Sequence, residues 1–179
     1  MNSYKKEQDR KLRLKQKIDE DKKFLDDFLS KESSLNGYVK KKIANYSELN
    51  AITDKYNKIS LTYEELEGEV SHLASGLQHL GLSKSDFIGI FSENNGRCCV
   101  VEQAAIRNGA IAVLRGSNAP KEELDYILGH CDAKALVVKD IKLLNSLRPY
   151  LNNHNLKFIL VMFNNLENNY DDINCPVYN

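Results

Sequence analysis

The sequence has no run of about eighteen or more apolar residues, so no transmembrane helix is expected. Its start, with Lys5, Lys6, Glu7, Asp9, Arg10 and Lys11, is not followed by an apolar segment, so a secretory signal is not expected. Neither sign of charge prevails: 25 Lys and Arg stand against 25 Asp and Glu. A strong global field for nucleic acid is therefore lacking, and a nucleic-acid partner is not expected. Cysteines are few: Cys98, Cys99, Cys131 and Cys175. The first two are neighbours and cannot form an ordinary bridge, no C-x-x-C pair is present, and zinc-ligand spacing is missing. The thiols read as small buried or indifferent residues, and the chain as a reduced, cytoplasmic protein. No G-x-G-x-x-G, no G-x-x-x-x-G-K-[ST] and no G-x-S-x-G occurs, which removes the common dinucleotide, P-loop and hydrolase signatures.

What is present suits one domain with an appended segment. Apolar residues make up 42% of 179, enough for a core. From about Lys5 to Lys31 there is no Gly or Pro. Leu14, Ile18, Leu25, Phe28 and Leu29 fall on one face of a helix whose other positions are almost all charged. The pattern is too short for a coiled coil. It reads as a solvated helix, and its basic start also suits peripheral contact with an anionic membrane surface. Ser33 to Gly37 reads as a break. The division is therefore a charged helical segment over 1–36 and a domain over 37–179.

Leu49–Asp54 and Ile59–Leu61 flank four polar residues, as in a β-hairpin. The next helix has a clear start: Thr62 as N-cap, Glu65 three residues on to complete a capping box, and Leu61 with Leu66 as a hydrophobic staple. Leu66, Val70, Leu73, Ala74, Leu77 and Leu80 make its apolar stripe, and Gly81 sits where a left-handed cap belongs. Strands and helices then alternate. Phe87–Phe91 and Ala110–Leu114 read as strands buried on both faces. Between them, Asn95 caps a helix carrying Cys99, Val100, Ala104 and Ile106, closed by Gly109. Pro120 opens a helix with Glu122 and Glu123 in its first turn and Leu124, Ile127 and Leu128 toward the core. Ala135–Val138 is a third strand. A short helix from Ile141 to Leu147 is expected to stop before Pro149. Phe158–Phe163 is a fourth strand. A polar stretch with Asn164, Asn165, Asn168 and Asn169 follows, with no further element expected. The fold class is α/β: a parallel sheet of βαβ units with a short β-hairpin, preceded by a charged N-terminal helix.

Chemistry-bearing residues are sparse. His72 and His79 fall on the wet side of the capped helix, and His130 lies at a helix end, where a His can cap carbonyls. Glu64, Glu65, Glu67 and Glu69 crowd a helix start as a solvated, dipole-compatible face. Arg115-Gly116-Ser117 follows the second strand directly, and ligands of open α/β sheets lie beyond the carboxyl ends of strands. Arg115 there can meet an anion, or it can pair with Glu122 or Glu123 and order the loop.

In order along the chain, Leu61-Thr62-Tyr63-Glu64-Glu65-Leu66, Leu80-Gly81-Leu82, Asp86–Ile90, Glu93-Asn94-Asn95 and Gly109-Ala110 resemble the opening motifs of the adenylate-forming superfamily. That superfamily contains acyl-CoA synthetases, luciferases and peptide-synthetase adenylation domains. Where most members have a Pro-containing sequence after the second strand, this chain has Val113-Leu114-Arg115-Gly116-Ser117, then Glu122-Glu123-Leu124 and Ile127-Leu128. With Leu156–Leu160 and Pro176-Val177-Tyr178, these are similar to the long-chain fatty acid ligases found as acyl-acyl carrier protein synthetases. The resemblance covers about Tyr46 to Tyr178. It implies motif roles of a structural kind for Thr62, Tyr63, Glu65, Gly109, Arg115, Gly116 and Ser117, with Arg115 also a candidate for substrate. Family members are several times longer. Their phosphate loop, adenine- and ribose-binding motifs and lysine-bearing C-terminal domain have no counterpart here, so no catalytic or metal-ligating residue is assigned. ATP and Mg are implied for the complete enzyme, and none is expected to bind this part alone. The expectation is a truncated or split ligase scaffold, inactive alone. Alternatives are an interaction subunit that pairs with a second polypeptide or with itself, and a small-molecule or acyl-binding module using Arg115.

Overall fold

The computed structural model describes residues 2–31, 35–163 and 170–179. They form two compact units, Met1–Asn45 and Tyr46–Asn179. The first holds α1 (Asn2–Lys31) and α2 (Leu35–Ala44). Along α1, Leu14, Ile18, Leu25 and Leu29 are exposed, whereas Phe28 is buried. Phe28 stacks on Phe24, and the Lys41 ammonium lies over its ring. The break expected from Ser33 to Gly37 begins in residues that lie outside the described residues, and Gly37 itself lies within α2.

The second unit begins with an antiparallel hairpin of β1 (Asn50–Asp54) and β2 (Ile59–Thr62). It leads straight into α3 (Tyr63–His79). The expected capping box is in place: Thr62 Oγ1 accepts from the Glu65 amide, and a Glu65 carboxylate oxygen accepts from the Thr62 amide at 2.8 Å. The next free amides of the first turn, those of Tyr63 and Glu64, donate to the carbonyls of Leu49 and Ser47. The hairpin thus finishes the helix end. At the other end Gly81 has φ +96°. Its amide donates to Gln78 O and that of Leu82 to Leu77 O, which is a Schellman close.

The remaining elements are β3 (Phe87–Phe91), α4 (Gly96–Arg107), β4 (Ile111–Arg115), α5 (Lys121–His130), β5 (Ala135–Asp140), α6 (Ile141–Leu151), β6 (Phe158–Phe163) and β7 (Val177–Tyr178). Their strands form one parallel sheet in the order β4-β3-β5-β6-β7. One apolar cluster joins α3 and α4 to the sheet through Leu77, Ala104, Ile88, Ile90 and Val137. A second joins α5 and α6 through Leu128, Leu144, Leu136 and Ile159. The α/β class, the parallel sheet and the hairpin are as the sequence predicts.

Several expectations are corrected. The strand read as buried on both faces, β4, is the sheet edge, and Ile111 and Leu114 are each 44% exposed. An apolar run shows that a strand has β character but not its position in the sheet. On α4, Ile106 faces solvent, while Cys98 and Val101 join Val100 and Ala104 in the core. Helix α6 does not stop before Pro149 but runs to Leu151, with Leu143, Leu144, Leu147 and Leu151 all buried. Burying Leu151 returns roughly 1.5–3 kcal/mol, which offsets most of the roughly 3 kcal/mol that an interior proline costs. After β6, where the sequence predicts no further element, the described residues form β7, with Val177 in register with Ile159; α2 (Leu35–Ala44) is likewise an element that the sequence does not predict. The polar stretch with Asn164, Asn165, Asn168 and Asn169 lies outside the described residues.

Candidate functional site

The strand order fixes where a ligand crevice lies. The connection from β3 leads by α4 to β4 on one side, and the connection from β5 leads by α6 to β6 on the other. The order therefore reverses between β3 and β5, and open α/β sheets bind ligands outside the carboxyl ends at such a point. Glu93 follows β3, Lys139 is the penultimate residue of β5, and Ser117 follows β4. All three meet. Lys139 Nζ is 2.8 Å from Glu93 Oε2, and the Ser117 hydroxyl donates to Glu93 Oε1. The hydrogen bond from Lys139, then that from Ser117, lowers the Glu93 carboxyl to about 2. The same bond raises the Lys139 ammonium. Asp140 caps α6 by accepting from the Leu143 amide at 2.8 Å.

The loop after β3 is set by its own side chains. The Ser92 amide donates to Arg115 O at 3.0 Å. Asn95 donates to Ser92 Oγ and Glu93 O, and its Oδ1 accepts from the Cys98 amide as the N-cap of α4. Asp54, at the hairpin tip, accepts from Asn57 and, at 3.1 Å, from the Gly96 amide. The Asn57 side chain is the main cause of its lowered carboxyl. A Cβ on Gly96 would come within 3.1 Å of Ile59 and 3.3 Å of Ile52, so glycine lets the hairpin approach the helix start closely.

Arg115 takes one of the two courses open to it. Its Nε is 2.6 Å from Glu123 Oε1, not Glu122. That bond raises the Arg115 guanidinium and lowers the Glu123 carboxyl. Gly116 and Ser117 lie beside it at the switch point. Thr62, Tyr63 and Glu65 instead form the start of α3, and Gly109, at φ +71°, turns the chain before β4 at the opposite end of that strand. The motif residues therefore do not converge on one point.

An apolar cavity of about 550 Å³ is lined by Leu61, Val100, Val137, Leu160 and Met162, together with Arg97 and His72. The Arg97 guanidinium donates to Met162 O and lies 4.9 Å over the Phe163 ring. The sequence reading missed Glu93, Lys139 and Arg97 as a polar frame. Two of them stand next to strand ends, which was the available signal. Among the described residues, no three His, Cys, Asp or Glu side chains are grouped to hold a metal ion. His72, His79 and His130 are exposed. His130 stacks on Tyr126, while His154 Nε2 is 2.7 Å from Asp125.

The profile of the AMP-binding enzyme family matches residues 39–173. The chain belongs to that family. It is 31% identical over 121 residues to the chloroplastic long-chain-fatty-acid–[acyl-carrier-protein] ligase AEE15 of Arabidopsis thaliana, covering 66% of this chain and 17% of that protein. It is 30% identical over 95 residues to the putative acyl-CoA synthetase YngI of Bacillus subtilis, covering 53% of this chain and 17% of that protein. In fold it is similar to the coronafacic acid ligase of Pectobacterium brasiliense, with a TM-score of 0.69 at 19% identity over 80% of this chain and 28% of that one. The chain spans about one sixth of the length of these curated relatives. Its relatives include acyl-CoA and acyl-carrier-protein ligases, and its parallel sheet is the fold of adenylate-forming enzymes.

Proposed function

We propose that this chain is a scaffold portion of an AMP-forming long-chain fatty acid ligase and does not turn over substrate alone. The reaction of the whole enzyme would join a fatty acid carboxylate to ATP, giving acyl-adenylate and pyrophosphate. The acyl group would then pass to the thiol of a carrier protein or of coenzyme A, releasing AMP. The observation that carries this reading is the family match over residues 39–173, joined to 31% identity with a fatty acid ligase over 121 residues, with the switch-point charges paired to one another. Adenylate formation needs donors and a cation placed on phosphate charge as it develops. Here Lys139 is held by Glu93 and Arg115 by Glu123. These pairings support a reading in which ATP and Mg are held by the complete enzyme rather than by this portion alone. Arg115 as an acyl anchor would first have to leave Glu123.

A second reading, an assembly subunit for a chain carrying the remaining ligase domains, is favoured by the apolar cavity between the hairpin and β6. Among the described residues no helix is long and apolar enough to cross a membrane. The four cysteines are free thiols, which supports a reducing compartment such as the cytoplasm. At most, the exposed leucines of α1 would support peripheral membrane contact.

The test is ATP–pyrophosphate exchange with long-chain fatty acids, by the purified chain with and without extract of its host. No exchange by the chain alone is expected. Exchange restored only by extract supports the assembly reading, and exchange by the chain alone overturns the scaffold reading.

A further inference from the structure

The outer edge of β4 is unusual for an exposed strand. Its residues are Ile-Ala-Val-Leu-Arg. It has no proline, no lysine and no bulge, the usual devices that keep an edge from pairing. Its one charge, Arg115, is at the end and already held by Glu123. The strand has the composition of a central strand and the position of a marginal one.

The hydrogen-bond pattern says which groups are free to pair. The Ile111 amide donates to Asp86 O, and Arg115 O accepts from the Ser92 amide. Residues 111, 113 and 115 therefore turn their backbone groups to β3. Ala112 and Leu114, in alternation, turn theirs outward. This pair of outward residues is symmetric about Val113.

We propose that two copies of this chain pair antiparallel through β4, joining their sheets across a twofold axis at Val113. Ala112 of each copy exchanges both backbone hydrogen bonds with Leu114 of the other, giving four bonds in all. Val113 meets its own counterpart as a non-hydrogen-bonded pair. On one face the exposed Leu114 covers the small Ala112 of the mate. On the other, Ile111 lies against the aliphatic stem of the mate's Arg115. No like charges face each other directly, which is the condition such pairing needs. An isologous contact of this kind closes at two copies. It stands independently of the ligase reading.

Sedimentation velocity of the full chain over a concentration series tests this. Mass rising toward twice the 20.4 kDa of one chain is expected. Leu114→Lys should abolish that rise with unchanged circular dichroism. Tyr126→Lys, on exposed α5, should leave it in place. In the register proposed, Val113→Cys places two thiols opposite each other. Mild oxidation should then crosslink two copies at least tenfold more than for Ile111→Cys or the parent chain. A monomer at every concentration overturns the proposal, as does a dimer indifferent to Leu114→Lys. Crosslinking through position 111 rather than 113 overturns the register.

Discussion

Glu93 Oε2 and Lys139 Nζ lie 2.8 Å apart across the crevice between β3 and β5. The crevice is where the strand order reverses, and its two walls contribute one charge each. With Ser117 also donating to Glu93, the three strand ends are tied together without any ligand.

The pair predicts a pH dependence. The Glu93 carboxyl titrates at about 2 in the fold against an ordinary 4.5, so its stabilisation is complete above pH 4.5 and is lost as pH falls to about 2. Both side chains are more than a third exposed, which holds the net contribution to at most about 1 kcal/mol. Thermal melts of the parent chain and Glu93→Gln should differ by that much near neutrality and converge toward pH 2. A difference that stays flat across this range would mean the ion pair is not its source.

Two glycines of the same helical region predict effects of opposite sign. Gly81 sits at φ +96°, so Gly81→Ala should cost about 1–2 kcal/mol, the strain of a Cβ in left-handed backbone. Gly76 lies inside α3, and a Cβ there meets nothing within 4 Å. Gly76→Ala should raise stability by roughly 0.5–1 kcal/mol by reducing the freedom of the unfolded chain. Urea midpoints at unchanged slope would show the two shifts.

Arg107 ties α4 to α3. Its guanidinium donates to both carboxylate oxygens of Glu67, at 2.9 and 2.7 Å, and to Ser71 Oγ at 2.6 Å. Both side chains of the ion pair are only about one fifth exposed. Lysine cannot reproduce a planar fork, so Arg107→Lys should still cost about 1.5 kcal/mol, the lower end of the range for hydrogen bonds to charged groups. A double-mutant cycle with Glu67→Gln would measure the coupling. A coupling near zero would assign the loss to packing of the arginine stem.

The sequence by itself determined the elements whose cause is local. Thr62 and Glu65, Asn95 with its α4, and Gly81 act within three or four residues of themselves, and a period of apolar positions is visible wherever one face is buried. These were enough for the hairpin, the first four strands of the parallel sheet and most helix ends. The tertiary structure alone decided what depends on distant neighbours. Strand order made the apolar β4 an edge and β5 a centre. It also brought Glu93 to Lys139 and gave Arg115 to Glu123 rather than Glu122. A two-residue strand such as β7 has too few positions to show any period, and exists only because β6 offers it backbone partners. Which side chains meet at the switch point is set by crossover connections, and nothing in the local pattern of residues around Glu93 or Lys139 encodes that geometry.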